Sequence, residues 1–256
     1  MNNVPICFRD EDVRNQNFEI VAERISDFVN IKVEYLKPIV ALLKICVGWT
    51  PNLYDEKLKK WIETYGPSHP SIDFSDEFIV LLKDFFSVCM TMKDLRKMRG
   101  LIPEKIISKI FEYRHANKPT VINFGCSICI YGKYVRYICV KNKRIREHCA
   151  TSNVICGNGG CKGSKMTVDV ATWNLNNGEF VEIKLSPRSF HYIDGAYLCQ
   201  LQDELLKYDI SHAIYVITFE SKDVTEERIK EYFIKTKKPY IIGINEIFSL
   251  KDANLL

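Results

Sequence analysis

Residues 166–185 read Met-Thr-Val-Asp-Val-Ala-Thr-Trp, then Asn-Leu-Asn-Asn-Gly, then Glu-Phe-Val-Glu-Ile-Lys-Leu. The outer segments are rich in β-branched and apolar residues, and the five between them carry turn chemistry, so the stretch predicts a β-hairpin. Alternation across a strand places Val181, Ile183 and Leu185 on one face and Phe180, Glu182 and Lys184 on the other. A register that brings Asp169 opposite them gathers two carboxylates and an ammonium, with the Ile183 carbonyl as a further oxygen. Charged groups in strands this apolar are expensive to bury unless they bind something. A hard cation such as Mg²⁺, with Mn²⁺ as a substitute, takes oxygen ligands of this kind.

The acid-x-Lys triplet recurs at Asp55-Glu56-Lys57 and at Glu220-Ser221-Lys222. The first lies in a polar, helix-like stretch and the second runs from a strand into a charged loop. Only Glu182-Ile183-Lys184 sits in a strand whose hairpin partner also contributes an acid. The competing reading is a solvent-facing hairpin side with a cross-strand Glu/Lys pair.

On these residues the chain resembles the PD-(D/E)XK nuclease superfamily, and type II restriction endonucleases in particular. Ahead of the hairpin, Arg99-Gly100-Leu101-Ile102-Pro103-Glu104 is expected to open a helix, with Pro103 in its first turn and Ile106, Ile107, Ile110 and Phe111 at helical spacing. Glu104 looks like the family's helix-borne carboxylate, although an acid in a first turn is equally explained by the helix dipole. After the hairpin, residues 196–208 predict a helix, residues 213–219 a strand buried on both faces, 225–236 a helix and 240–244 a strand. Val168 stands where the family's name records Pro. The resemblance covers about residues 95–244 and implies an α/β fold, a restriction-endonuclease-like core of mixed central β-sheet flanked by helices. It implies Mg²⁺-dependent hydrolysis of DNA phosphodiesters, with Asp169, Glu182, Ile183 and Glu104 holding metal and Lys184 orienting or deprotonating water. A homodimer cutting double-stranded DNA is the expected assembly. The alternatives are a non-specific or effector-type nuclease of a defence or repair system, and a silent nucleic-acid-binding protein of the same fold.

The chain carries 36 Lys and Arg against 32 Asp and Glu, +4 overall. Residues 133–165 hold Lys133, Arg136, Lys141, Lys143, Arg144, Arg146, Lys162 and Lys165 against the single acid Glu147. That segment is +7, which leaves −3 for the rest. Such a basic insertion is expected to grip a phosphate backbone, with an affinity that falls as salt rises; a solvated basic loop is the plainer account. Ten cysteines without a signal peptide point to free thiols and a reducing, cytoplasmic location. Cys126 and Cys129 with Cys156 and Cys161 have spacings compatible with a structural Zn²⁺, while Cys7, Cys46, Cys89, Cys139 and Cys199 read as packing.

Residues 1–94 predict a helical subdomain ahead of the nuclease core at 95–256. Phe18, Val21, Ile25 and Phe28 recur at helical intervals, Ser75 followed by Asp76 and Glu77 makes a helix start for residues 78–90, and residues 66–70 read as a loop. The apolar run 39–43 is far shorter than the ~20 residues of a membrane span.

Overall fold

The computed structural model describes residues 5–10, 15–139, 163–174, 177–233 and 238–252. The hairpin forms as two strands, β6 (Thr167–Trp173) and β7 (Asn177–Lys184), paired antiparallel with Val170 opposite Val181 and Trp173 opposite Gly178. They lie at the middle of a seven-stranded mixed sheet in the order β1-β2-β6-β7-β8-β9, with β3 paired to β2. On one side stand β1 (Ile6–Asp10), β2 (Val121–Ile130) and β3 (Lys133–Tyr134), all antiparallel. On the other, β8 (Ser211–Thr218) and β9 (Tyr240–Ile242) run parallel. A two-stranded ribbon of β4 (Tyr137–Cys139) and β5 (Gly163–Lys165) closes the ends of the basic insertion.

The apolar run at 213–218 is wholly buried, as expected of a strand covered on both faces. One core cluster includes Cys126, Ile128, Val168, Phe180, Ile214 and Val216. They pack against Tyr197, Leu198, Leu201 and Leu205 of the helix that follows the hairpin (Tyr192–Lys207). Within that helix Gly195 is required by close approach, since a Cβ there would stand 2.7 Å from the Tyr232 Cβ.

The helical region comprises α1 (Gln16–Ile31), α2 (Leu36–Ile45), α3 (Tyr54–Ser68), α4 (Asp76–Ser87) and α5 (Met92–His115). The helices after the hairpin are α6 (Tyr192–Lys207) and α7 (Lys222–Ile229). Where the sequence reading divides the chain at 94/95, the described residues gather into Val13–Ile110 and into Met1–Asp12 with Phe111–Leu256. Strand β1 joins the sheet unit because it pairs along its whole length with β2, a strand that the helical reading of this end overlooks.

Two further expectations are corrected. Pro103 lies inside α5 rather than in a first turn, because that helix begins at Met92. An interior proline costs about 3 kcal/mol, yet Leu95, Met98, Ile102, Ile106, Ile107 and Ile110 are all fully buried, and that apolar stripe outweighs it. Gly66, Pro67 and Ser68 complete α3, so the loop starts only at His69, whose ring stacks on Tyr65.

Candidate functional site

Extending the β6/β7 register by one step sets Asp169 opposite Glu182. The Ile183 N–H donates to Asp169 Oδ2 at 2.6 Å. Because a strand residue directs its N–H and C=O to the same side, the Ile183 carbonyl also faces the β6 edge. On the other flank of β6, the ladder to β2 skips from Phe124–Val170 to Cys126–Val168. Gly125 stands in that gap, across from Asp169, with φ +58°, so no β2 side chain occupies the position beside the carboxylate.

Glu182 is fully buried. Its Oε1 accepts from Lys184 Nζ at 2.5 Å and from Lys165 Nζ at 2.9 Å. Its Oε2 has no hydrogen-bond partner among the described residues. Burial, together with the neighbouring Asp169 charge, pushes the Glu182 carboxyl up to about 7 against the pull of both lysines. Burial opposes the charge on Lys184 and Lys165, but Glu182, Asp169 and Asp194 outweigh it and hold both ammoniums above the ordinary lysine range.

The third acid in this cluster is Asp194, which the sequence reading does not anticipate. Its Oδ1 lies 3.2 Å from Lys165 Nζ and 3.6 Å from Lys184 Nζ. Its Oδ2 accepts the His191 N–H at 2.7 Å as half of a capping box that starts α6. Burial works against ionisation of Asp194, and the two lysines with the His191 N–H more than compensate, lowering its pKa. The signal was present as His191-x-x-Asp194. Histidine is not a favoured N-cap and Gly195 interrupts helix propensity, so the expected helix began at 196 and left Asp194 outside it.

Glu104 lies on α5 within the helical unit, where its carbonyl accepts the Ser108 hydroxyl at 2.7 Å. Lys165 is turned into the cluster with its side chain only 15% exposed, instead of joining a solvent-facing phosphate grip. Lys133 and Arg136 are exposed. Lys141, Lys143, Arg144, Arg146 and Lys162 lie outside the described residues, as do Cys156 and Cys161. Cys126 and Cys129, three residues apart on the regular part of β2, point to opposite faces and do not converge on one ion. Both are free thiols, as are the buried Cys46 and Cys89; the partly buried Cys199 donates its thiol to the Tyr232 carbonyl, and Cys7 is free but exposed, not packed.

A second polar group occupies the opposite face of β7. Glu179 is 2% exposed; its Oε1 accepts from Arg114 Nη2 at 2.7 Å and the Tyr215 hydroxyl at 3.1 Å. Its Oε2 meets His115 Nε2 at 2.7 Å and the Thr172 hydroxyl at 3.2 Å. Burial disfavours its charge, but His115 and Arg114 prevail and hold its carboxyl below the usual range.

Among the described residues no three His, Cys, Asp or Glu side chains form a metal cage by themselves. A Mg²⁺-type ion needs less, since it is held by one or two carboxylates and keeps its other positions for water and phosphate oxygens. Glu182, across the hairpin register from Asp169 and with Oε2 unpartnered among the described residues, fits that demand.

No family model and no curated protein matches this chain. Solved structures similar to it include protein VC1899 from Vibrio cholerae, at 13% identity and TM-score 0.45, covering 97% of this chain and 57% of that one. Another is Can2 from Sulfobacillus thermosulfidooxidans in complex with cyclic tetra-adenylate, at 9% identity and TM-score 0.37, covering 97% and 55%. The chain thus spans little more than half the length of either, and likenesses at these TM-scores carry no weight on function. No described helix is long and apolar enough to cross a membrane.

Proposed function

We propose that this protein is a metal-dependent nuclease that hydrolyses phosphodiester bonds in DNA at the Asp169, Glu182, Lys184 cluster. The observation that carries the reading is the fully buried Glu182, across the hairpin register from Asp169, with one oxygen unpartnered among the described residues and an ammonium on the other. A buried carboxylate left half satisfied is costly, and a bound cation removes that cost.

Asp169, Glu182 and the Ile183 carbonyl would hold Mg²⁺ or Mn²⁺, which when bound lowers the pKa of water and offsets charge on the phosphate. Lys184, its side chain 20% exposed, is the cluster's most accessible ammonium and is placed to orient a water or donate to oxygens gaining charge in the transition state. The Ile183 N–H fixes the Asp169 carboxylate, so that its orientation is set before substrate arrives. Exposed Lys133 and Arg136, with the basic residues that follow, supply phosphate contacts.

A type II restriction endonuclease, working as a homodimer, and a nuclease without a fixed site share this chemistry. A silent binding protein does not need Asp169, Glu182 and Lys184 together. Incubation with plasmid DNA in Mg²⁺ and in EDTA separates the three: discrete fragments mark site-specific restriction, a smear marks cleavage without a fixed site, and intact plasmid marks binding alone. Asp169→Ala and Lys184→Ala should each lower Mg²⁺-dependent cleavage by about 10³-fold. Full activity in either variant overturns the assignment.

A further inference from the structure

Lys165 is not part of the hairpin. It enters the cluster from the end of β5, yet it shares both of its acceptors with Lys184. Each ammonium lies within reach of Glu182 Oε1 and Asp194 Oδ1, at 2.9 and 3.2 Å for Lys165 and at 2.5 and 3.6 Å for Lys184. Asp194 is itself pinned, since its other oxygen caps α6 through the His191 N–H. Glu182 Oε2 meanwhile has no hydrogen-bond partner among the described residues. Two lysines on one oxygen of a buried glutamate and no hydrogen-bond partner among the described residues on the other is an arrangement in which a cation is already present but does not fill the position.

We infer that Lys165 is a tethered cation competing with the divalent metal for Glu182, and that Asp194 is the positioning residue that holds Lys165 and Lys184 beside the cradle. This rests on the metal-dependent reading above. With all five groups ionised, three carboxylates and two ammoniums leave the cluster at −1, and a divalent ion takes it to +1. Without the Lys165 charge the loaded cluster is neutral; without the Asp194 charge it is +2. Uncompensated charge at so buried a site is disfavoured, so the two losses move metal affinity in opposite directions.

The test is Mn²⁺ titration of the full chain, free of nucleic acid, read as Kd by electron paramagnetic resonance of the free ion. Lys165→Met should bind Mn²⁺ about 10-fold tighter than the wild type and Asp194→Asn about 10-fold weaker, a usual size for groups supporting a metal's ligands. Lys165→Arg, which restores the charge, should return the wild-type Kd. Near-UV circular dichroism checks that each variant is folded, and Lys165→Gln replaces Lys165→Met if the latter is not. A merely structural role for Lys165 and Asp194 weakens binding in both variants. Unchanged or weaker binding in a folded variant lacking the Lys165 charge overturns this inference alone, while a wild type that binds no Mn²⁺ overturns the metal-dependent reading with it.

Discussion

Two glutamates three residues apart on β7 are both buried, yet the chain treats them in opposite ways. Glu179 faces one side of the sheet with both oxygens engaged, by Arg114 and Tyr215 on one and His115 and Thr172 on the other. Glu182 faces the other side with two ammoniums on one oxygen and, among the described residues, no partner on its second. Their carboxyls shift accordingly, Glu179 below the ordinary range and Glu182 up to about 7. The donors around Glu179 are less complete than their acceptor, since Arg114 Nε and Nη1 and His115 Nδ1 lack partners among the described residues. A satisfied carboxylate holds a fold together, and a half-satisfied one is available to a ligand. The difference separates an acid satisfied by the fold from one left open to a ligand more clearly than burial does.

Replacing Glu179 should therefore have the largest effect on stability. Glu179→Gln leaves Arg114 buried without its counter-charge and should lower unfolding free energy by about 3–5 kcal/mol in urea titration. Cleavage per folded molecule should stay near wild type. Glu182→Gln should do the reverse, abolishing cleavage in Mg²⁺ while, in metal-free buffer at pH 8, its urea midpoint stays at or above the wild-type value, because a strained charge has been removed. Equal destabilisation by the two variants would erase the distinction.

The smaller effect is on the pH dependence of stability, where the two acids tilt the curve in opposite directions. Glu179 has a folded pKa below its unfolded value of about 4.5. Its stabilisation is complete above that value and is lost as pH falls through the lower folded pKa. Glu182 has a raised pKa, so in metal-free protein its protonated form favours the folded state. Stability from it is complete below about 4.5 and declines as pH rises through about 7. Urea unfolding across pH should show Glu179→Gln flattening the acid limb and Glu182→Gln flattening the slope between about 4.5 and 7. The same limb flattened by both would contradict the assigned shifts.

The comparison also shows which parts of the site were legible in the sequence. Period-two alternation and a five-residue turn gave the hairpin, the shared face of Glu182 and Lys184, and the placement of Asp169 opposite, because these depend on local geometry alone. The apolar run at 213–218 gave the parallel strand for the same reason. What failed depends on distant partners. The sequence around Ile6 carries no sign that it pairs with β2, more than a hundred residues away. Lys165 looked like one more basic loop residue because nothing local shows that β5 turns it toward Glu182. Asp194 was lost through a late helix start, and Glu179 was read as the first residue of a strand when its partners, Arg114 and His115, come from the end of α5.

The central claim is that the free side of Glu182 and the adjacent Asp169 form a metal cradle. Its most direct test is the anomalous difference density of crystals soaked in Mn²⁺. The account predicts a peak bonded to Glu182 Oε2 and to the Asp169 carboxylate, absent from Glu182→Gln crystals. Density at neither carboxylate in well-ordered wild-type crystals would contradict it.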